Sequence, residues 1–181
     1  MRDAERVWRE RGLRAAVLAG DAQAWQTWYD EAFTALDAYV VWRCGGLRDR
    51  ADDALQETWL AAVRNLRRFE PEQAGFAAWL RGIAANVLRN QFRHARRRST
   101  VSLNGEMPHA ADESAKRERG ERVALALAAL PDHYERVLRA KYLDGRSVAE
   151  IAEQSGETEK VVESLLTRAR AAFREAYGED G

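Results

Sequence analysis

Apolar residues recur along this chain at helical rather than strand spacing. After Gly20, the residues Trp25, Trp28, Phe33, Leu36 and Val40 form one stripe at intervals of three to five positions. Asp21 stands where an N-cap carboxylate is wanted, and Cys44-Gly45-Gly46 ends the stripe. A second stripe, Leu55, Trp59, Val63 and Leu66, predicts a helix from about Arg50 with those four residues inward. Glu70-Pro71-Glu72-Gln73-Ala74-Gly75 breaks the period and reads as a loop. A third helix is expected from Phe76 to about Arg97, with Phe76, Trp79, Leu80, Ile83, Val87 and Leu88 on one side. From Ser99 to about Lys116 the apolar period stops, and a polar linker is expected. Two short helices follow, split at Pro131, a residue suited to a first helical turn, and Leu143-Asp144-Gly145 closes the second. Ser147-Val148-Ala149-Glu150 is a capping-box pattern that starts another helix. Ser155-Gly156-Glu157-Thr158 is a tight turn, and a last helix runs from about Glu159 to Ala176. The pattern predicts an all-α protein of two small helical domains, residues 1–98 and 120–181, joined by a linker at 99–119.

Composition narrows the class. A length of 181 residues suits two small domains, and 32% charged with 46% hydrophobic residues suits a soluble globular chain. Ala, Leu, Arg and Glu dominate, and only Pro71, Pro108 and Pro131 interrupt long breaker-free stretches. The formal net charge of zero excludes a uniformly basic nucleic-acid binder but not separated patches. The single Cys44 cannot form an internal disulfide, which fits a reducing cytosol. The longest apolar run, Val123 to Leu130, is far short of the roughly 20 residues of a membrane span. The charged start Met1-Arg2-Asp3-Ala4-Glu5 lacks the apolar core of a signal peptide. A cytoplasmic protein with no membrane partner is expected.

Three local patterns carry candidate function. The capped helix at Ser147, the Gly156 turn and the longer helix after it form a helix-turn-helix pattern, whose second helix can enter a major groove. Any helical hairpin of a bundle can show the same signal. Between Gln73 and Gly105 there is no acid, while Arg81, Arg89, Arg93, Arg96, Arg97 and Arg98 are basic, with Asn86, Asn90 and Trp79 among or just before them. Arginines neutralise phosphate, and amides and aromatics read or stack bases; a solvated arginine face is the plainer reading. Asp49, Asp52, Asp53 and Glu57 cluster at the start of the second stripe's helix. There they suit the helix dipole or, alternatively, a basic protein partner. No catalytic constellation is apparent. His94, His109 and His133 are scattered, Cys44 has no metal-ligand spacing, and no phosphate-cradling glycine loop occurs. The expectation is therefore no enzyme, no cofactor and no metal.

Together these residues resemble a family. Asp52-Asp53-Ala54-Leu55-Gln56-Glu57-Thr58-Trp59 looks like the core-binding motif of bacterial RNA polymerase sigma factors. Phe76-Ala77-Ala78-Trp79-Leu80-Arg81-Gly82-Ile83-Ala84-Ala85-Asn86 is similar to their promoter-melting segment. Ala129-Leu130-Pro131 opens the second domain as the family does, and Ser147 to Glu153 with Arg168-Ala169-Arg170 is similar to its helix-turn-helix. The likeness runs over roughly residues 15–176, in order, and its short two-domain form resembles the extracytoplasmic-function (ECF) group.

The resemblance implies a sigma factor that binds core RNA polymerase and directs promoter-specific transcription initiation. Asp52, Asp53, Gln56 and Glu57 would dock on the clamp helices of the largest polymerase subunit. Trp79, Asn86, Arg89, Asn90 and Arg93 would contact the −10 element, with the loop Glu70 to Gly75 helping to pocket an unstacked base. Thr158, Glu159, Lys160, Glu163, Ser164, Thr167 and Arg168 would read the −35 element, and their domain would contact the flap of the second-largest subunit. An anti-sigma factor is a further partner that the resemblance allows. The sequence departs from the family at Glu163 and Leu165, where bases are usual, and at Asn90, where an acid is usual. Both Glu163 and Leu165 are expected to remove phosphate contacts, and Glu157 and Glu159 add negative charge near DNA. A stand-alone helix-turn-helix regulator and a degenerate protein-binding adaptor are the alternatives.

Overall fold

The structure is a computed structural model that describes residues 2–99 and 111–178. Among the described residues it is entirely helical: α1 Arg2–Leu18, α2 Ala22–Arg43, α3 Arg48–Asn65, a 3-10 turn at Leu66–Arg68, α4 Phe76–Ser99, α5 Ala111–Ala129, α6 Asp132–Tyr142, α7 Val148–Ser155 and α8 Glu159–Tyr177. The all-α expectation is met. Two compact units are present, Met1–Val41 with Arg48–Ser102, and Trp42–Leu47 with Leu103–Gly181.

In the first unit, Asp21 caps α2 as expected, its Oδ1 accepting from the Gln23 and Ala24 N–H groups at 2.8 and 3.2 Å. Trp28, Leu36 and Val40 are buried, while Trp25 and Phe33 are half-buried. An aromatic cluster fills this core. Trp28 stacks on Phe76 with centroids 4.2 Å apart, and Phe69 meets both edge-on. Such ring pairs fix α2, the loop before α4 and the start of α4 to one another. The α3 face that packs inward is built from Ala51, Ala54, Leu55, Thr58 and Ala62. These small side chains let helices approach closely, and the Thr58 hydroxyl is satisfied by the Ala54 carbonyl at 2.6 Å. Val63, expected inward, is instead 57% exposed, because Ala62 occupies the inward position beside it.

The sequence pattern also missed α1. Among its described residues only Glu10 is buried, with Val7, Leu13 and Val17 half-buried on the same side, so its apolar stripe is short and interrupted by charge.

In the second unit the core gathers Leu127, Leu130, Val137, Leu138, Ile151, Val162, Leu166 and Ala169. Glu135 is buried beside Arg43 at 3.8 Å, and burial pushes its carboxyl above the usual range against the pull of Arg43 and Arg139. α5 begins at Ala111, inside the stretch read as linker. Its first turns are rich in Ala, Glu, Lys and Arg, which favour helix without an apolar face. Pairs such as Arg117 with Glu121, 3.7 Å apart, support it. The remainder of the expected linker lies outside the described residues, as does His109.

Candidate functional site

The expected polymerase-docking residues share one surface of α3. Asp52, Asp53, Gln56 and Glu57 are all exposed, on the side away from Ala51, Ala54, Leu55 and Thr58. Arg48 braces the helix start, reaching Asp37 of α2 at 2.9 Å and Asp52 at 3.3 Å. Its guanidinium is held above its ordinary pKa, first by the hydrogen bond to Asp37. Glu57 accepts a hydrogen bond from Gln91 of α4 at 2.9 Å, so the acidic face and the basic helix are tied together. Leu60 and Val63, 50% and 57% exposed, continue the same surface. Sequence reasoning missed both as surface residues. The signal was present in the spacing, since Leu60 follows Asp53, Gln56 and Glu57 at steps of three and four. An acidic rim beside exposed aliphatic side chains suits a basic, partly apolar protein surface.

α4 carries the second group. Asn86, Arg89, Asn90 and Arg93 are exposed at helical spacing, opposite the buried Leu80, Ala84, Val87 and Leu88. Arg89 donates to the Asn86 side-chain oxygen and Arg93 to that of Asn90, each at 2.9 Å. The result is an array of cationic and amide groups without an acid in the helix. Trp79 lies on this side one turn or more earlier but is half-buried, tilted against Phe69 and Phe76 at 5.1 and 5.7 Å. It therefore serves the core with one part and faces outward with the other. The side chains of Arg96, Arg97 and Arg98, and that of His94, lie outside the described residues.

The third group is a helix-turn-helix in the second unit. The capping box forms as the sequence predicts: the Ser147 hydroxyl accepts from the Glu150 N–H, and the Glu150 carboxylate accepts from the Ser147 N–H at 2.8 Å. That hydrogen bond holds the Glu150 carboxyl below its ordinary pKa. Gly156 ends α7 with φ +69°, a left-handed conformation that glycine adopts without strain. Thr158 then caps α8 by accepting from the Val161 N–H. Its hydroxyl is thus engaged in the turn. Val162, Leu166 and Ala169 bury one side of α8. Glu159, Lys160, Glu163, Ser164, Thr167 and Arg168 all lie exposed on the remaining surface. Leu165 does not share that exposure. It is half-buried and packs against the core of this unit, so its apolar character fits its packing.

No group of three or more His, Cys, Asp or Glu side chains capable of holding a metal occurs among the described residues. No described helix is long and apolar enough to cross a membrane.

Comparison with known proteins defines the class. Residues 29–98 match Sigma-70 region 2, and residues 120–173 match Sigma-70, region 4. The ECF RNA polymerase sigma factor SigM of Mycobacterium tuberculosis is 32% identical over 170 residues, covering 92% of this chain and 83% of SigM. The ECF RNA polymerase sigma factor BldN of Streptomyces coelicolor is 33% identical over 158 residues, 83% of this chain, and the match spans 59% of BldN. Among solved structures, CnrH in complex with the cytosolic domain of CnrY aligns with a TM-score of 0.52 and 27% identity, covering 96% of this chain and 99% of CnrH. RpoE of Bartonella quintana, crystallised with the anti-sigma factor NepR, shares the fold at TM-score 0.50 and 20% identity, covering 88% and 100% of the two chains. The chain belongs to the sigma-70 family of RNA polymerase sigma factors, in its ECF group.

Proposed function

We propose that this chain binds a bacterial core RNA polymerase and directs it to promoters. The observation that carries the reading is the coincidence of two sigma regions in order, each leaving its polar recognition side chains exposed. Asp52, Asp53, Gln56 and Glu57, with Leu60 and Val63, dock on the clamp helices of the largest subunit. The region 4 unit contacts the flap of the second-largest subunit and places α8 in the major groove of the −35 element. Lys160 and Arg168 neutralise phosphates there, while Glu163 sets an acid against the backbone charge.

Opening proceeds without fuel. Bases of the −10 non-template strand that leave the stack are held by Trp79, Asn86, Arg89, Asn90 and Arg93 and by the loop from Glu70 to Gly75. The chain performs no catalysis of its own and acts in the cytosol. An anti-sigma factor holds it inactive, a reading supported by the complexes in which CnrH and RpoE were solved.

A stand-alone helix-turn-helix regulator would have no use for region 2, whose match covers residues 29–98. The adaptor reading loses part of its motive, because Leu165 is half-buried and packs against the core of its unit. Transcription of sheared genomic DNA from the source bacterium, by core polymerase with and without the protein, tests the proposal. New transcripts whose mapped starts share upstream elements are expected. Identical transcript sets in the two reactions would overturn it.

A further inference from the structure

The only buried residue among those described in α1 is a carboxylate, Glu10, 7% exposed. A buried carboxylate needs hydrogen-bonding partners, and Glu10 has two. Its Oε1 accepts from the Phe76 N–H at 3.0 Å, and its Oε2 lies 3.0 Å from Arg6 Nη1. The same Arg6 nitrogen donates to the Pro71 carbonyl at 3.0 Å.

The end of α4 explains the arrangement. Gly75 occupies its N-cap, its carbonyl accepting from the Ala78 and Trp79 N–H groups at 2.9 and 3.0 Å. A glycine has no side-chain oxygen for the unsatisfied N–H groups of a first turn, and α4 has no acid there. Glu10 supplies both the acceptor and the negative charge from another helix. The seat is close, since a Cβ on Gly75 would lie 3.4 Å from Glu10 Oε1 and 3.5 Å from Arg6.

The contact is one of a row. Arg6, Glu10 and Arg14 are spaced by four along one face of α1. Arg14 donates to the Arg67 carbonyl at 2.7 Å, and Arg11 pairs with Glu72. This face of α1 therefore grips the chain at Arg67, Pro71, Glu72 and Phe76. Those points bracket the loop assigned above to base capture. A loop that must hold an unstacked base loses affinity if it has to order itself first.

We propose that Glu10 and Arg6 are positioning residues for promoter opening: Glu10 caps α4 and Arg6 pins Pro71, fixing the Glu70–Gly75 loop in its base-capturing shape. The proposal rests on the reading of that loop as a base pocket. Glu10→Ala leaves the Phe76 N–H buried and unpaired, while Glu10→Gln keeps an acceptor for it.

The test uses holoenzyme reconstituted from bacterial core polymerase and full-length chain: wild type, Glu10→Ala, Glu10→Gln, Arg6→Ala and the loop variant Gln73→Ala. Opening of a mapped duplex promoter is followed by fluorescence. Binding of a single-stranded −10 non-template oligonucleotide is measured with and without an abasic site at each position. For Glu10→Ala, opening about tenfold slower and weaker oligonucleotide binding are expected, the effect of one buried donor left unsatisfied. The penalty for the abasic nucleotide should also shrink, while core affinity stays unchanged. Glu10→Gln should recover most of the loss, and Arg6→Ala should fall between. Wild-type opening by Glu10→Ala beside a defective Gln73→Ala would overturn the positioning role and leave the loop reading intact. Indifference to both Gln73→Ala and every abasic site would remove the loop reading, and the proposal with it. Equal losses of core affinity and oligonucleotide binding in Glu10→Ala and Glu10→Gln would make the role merely structural and overturn the proposal.

Discussion

Glu163 gives the sharpest handle on how α8 meets DNA. It lies exposed, one turn into the helix, beside Glu159, Lys160, Ser164, Thr167 and Arg168. A carboxylate on a surface that approaches phosphates opposes binding, and a lysine at the same place adds a contact. Each phosphate neutralised steepens the dependence of log K on log salt by about 0.9. Glu163→Lys should therefore steepen that slope by about 0.9. Over a fourfold dilution from about 200 to about 50 mM salt, the variant should gain roughly 3.5-fold more affinity than wild type gains. The assay is fluorescence anisotropy of holoenzyme on a −35 duplex across a salt series. Glu175→Lys is the control: Glu175 is exposed in the last turns of the same helix, far from its N-terminal end. An unchanged slope for Glu163→Lys, or an equal change for Glu175→Lys, would refute the placement of Glu163 against the backbone.

Leu166, 2% exposed among Leu127, Val137, Leu138, Ile151 and Val162, should lose about 2–5 kcal/mol on Leu166→Ala, read as a lowered midpoint in urea unfolding. Gly156→Ala should destabilise by roughly 1–2 kcal/mol, since no atom lies within 4 Å of the new Cβ and the strain is that of the left-handed backbone alone; a lowered Tm checks it. Burial raises the Glu135 carboxyl pKa in the fold, so the folded state binds its proton more tightly than the unfolded chain. The stability this proton confers is complete below the ordinary glutamate value of about 4.3 and is lost as pH rises through the raised value. Comparing Tm across that window, Glu135→Gln should remove this component of the pH dependence; an unaltered profile would contradict it.

The fold was legible wherever large apolar residues do the burying. Trp28, Leu36, Val40, Phe76, Leu80 and Leu88 announced α2 and α4, and Ser147 with Glu150 announced α7 through chemistry that the capping box then displays. It was least legible where small or charged residues do that work. The inner face of α3 is mostly alanine, which carries little periodic signal, so Val63 was turned inward by default. α1 is fastened by Arg6, Glu10, Arg11 and Arg14 to the chain between Arg67 and Phe76, and an apolar period does not record contacts made by charged side chains. Leu165 reads from family likeness as a lost basic contact, while its packing against its own unit, a feature no sequence position shows, accounts for its apolar character. The acidic, basic and helix-turn-helix groups could be named from sequence because polar recognition residues occur at helical spacing. Leu60 has the same helical spacing from Asp53 and Glu57, but its apolar character hides that signal until the alanine-lined inner side of α3 is seen to be filled.

The most direct measurement is co-elution of the purified chain with bacterial core RNA polymerase, beside an Asp53→Arg control whose folding is verified by circular dichroism. Asp53 is exposed on α3, so the reversal should leave the fold intact while placing a cation against the basic surface it is proposed to meet. A stoichiometric complex with the wild-type chain, lost or strongly weakened with Asp53→Arg, is the predicted result. A folded, partner-free wild-type chain that fails to bind core polymerase would contradict the account.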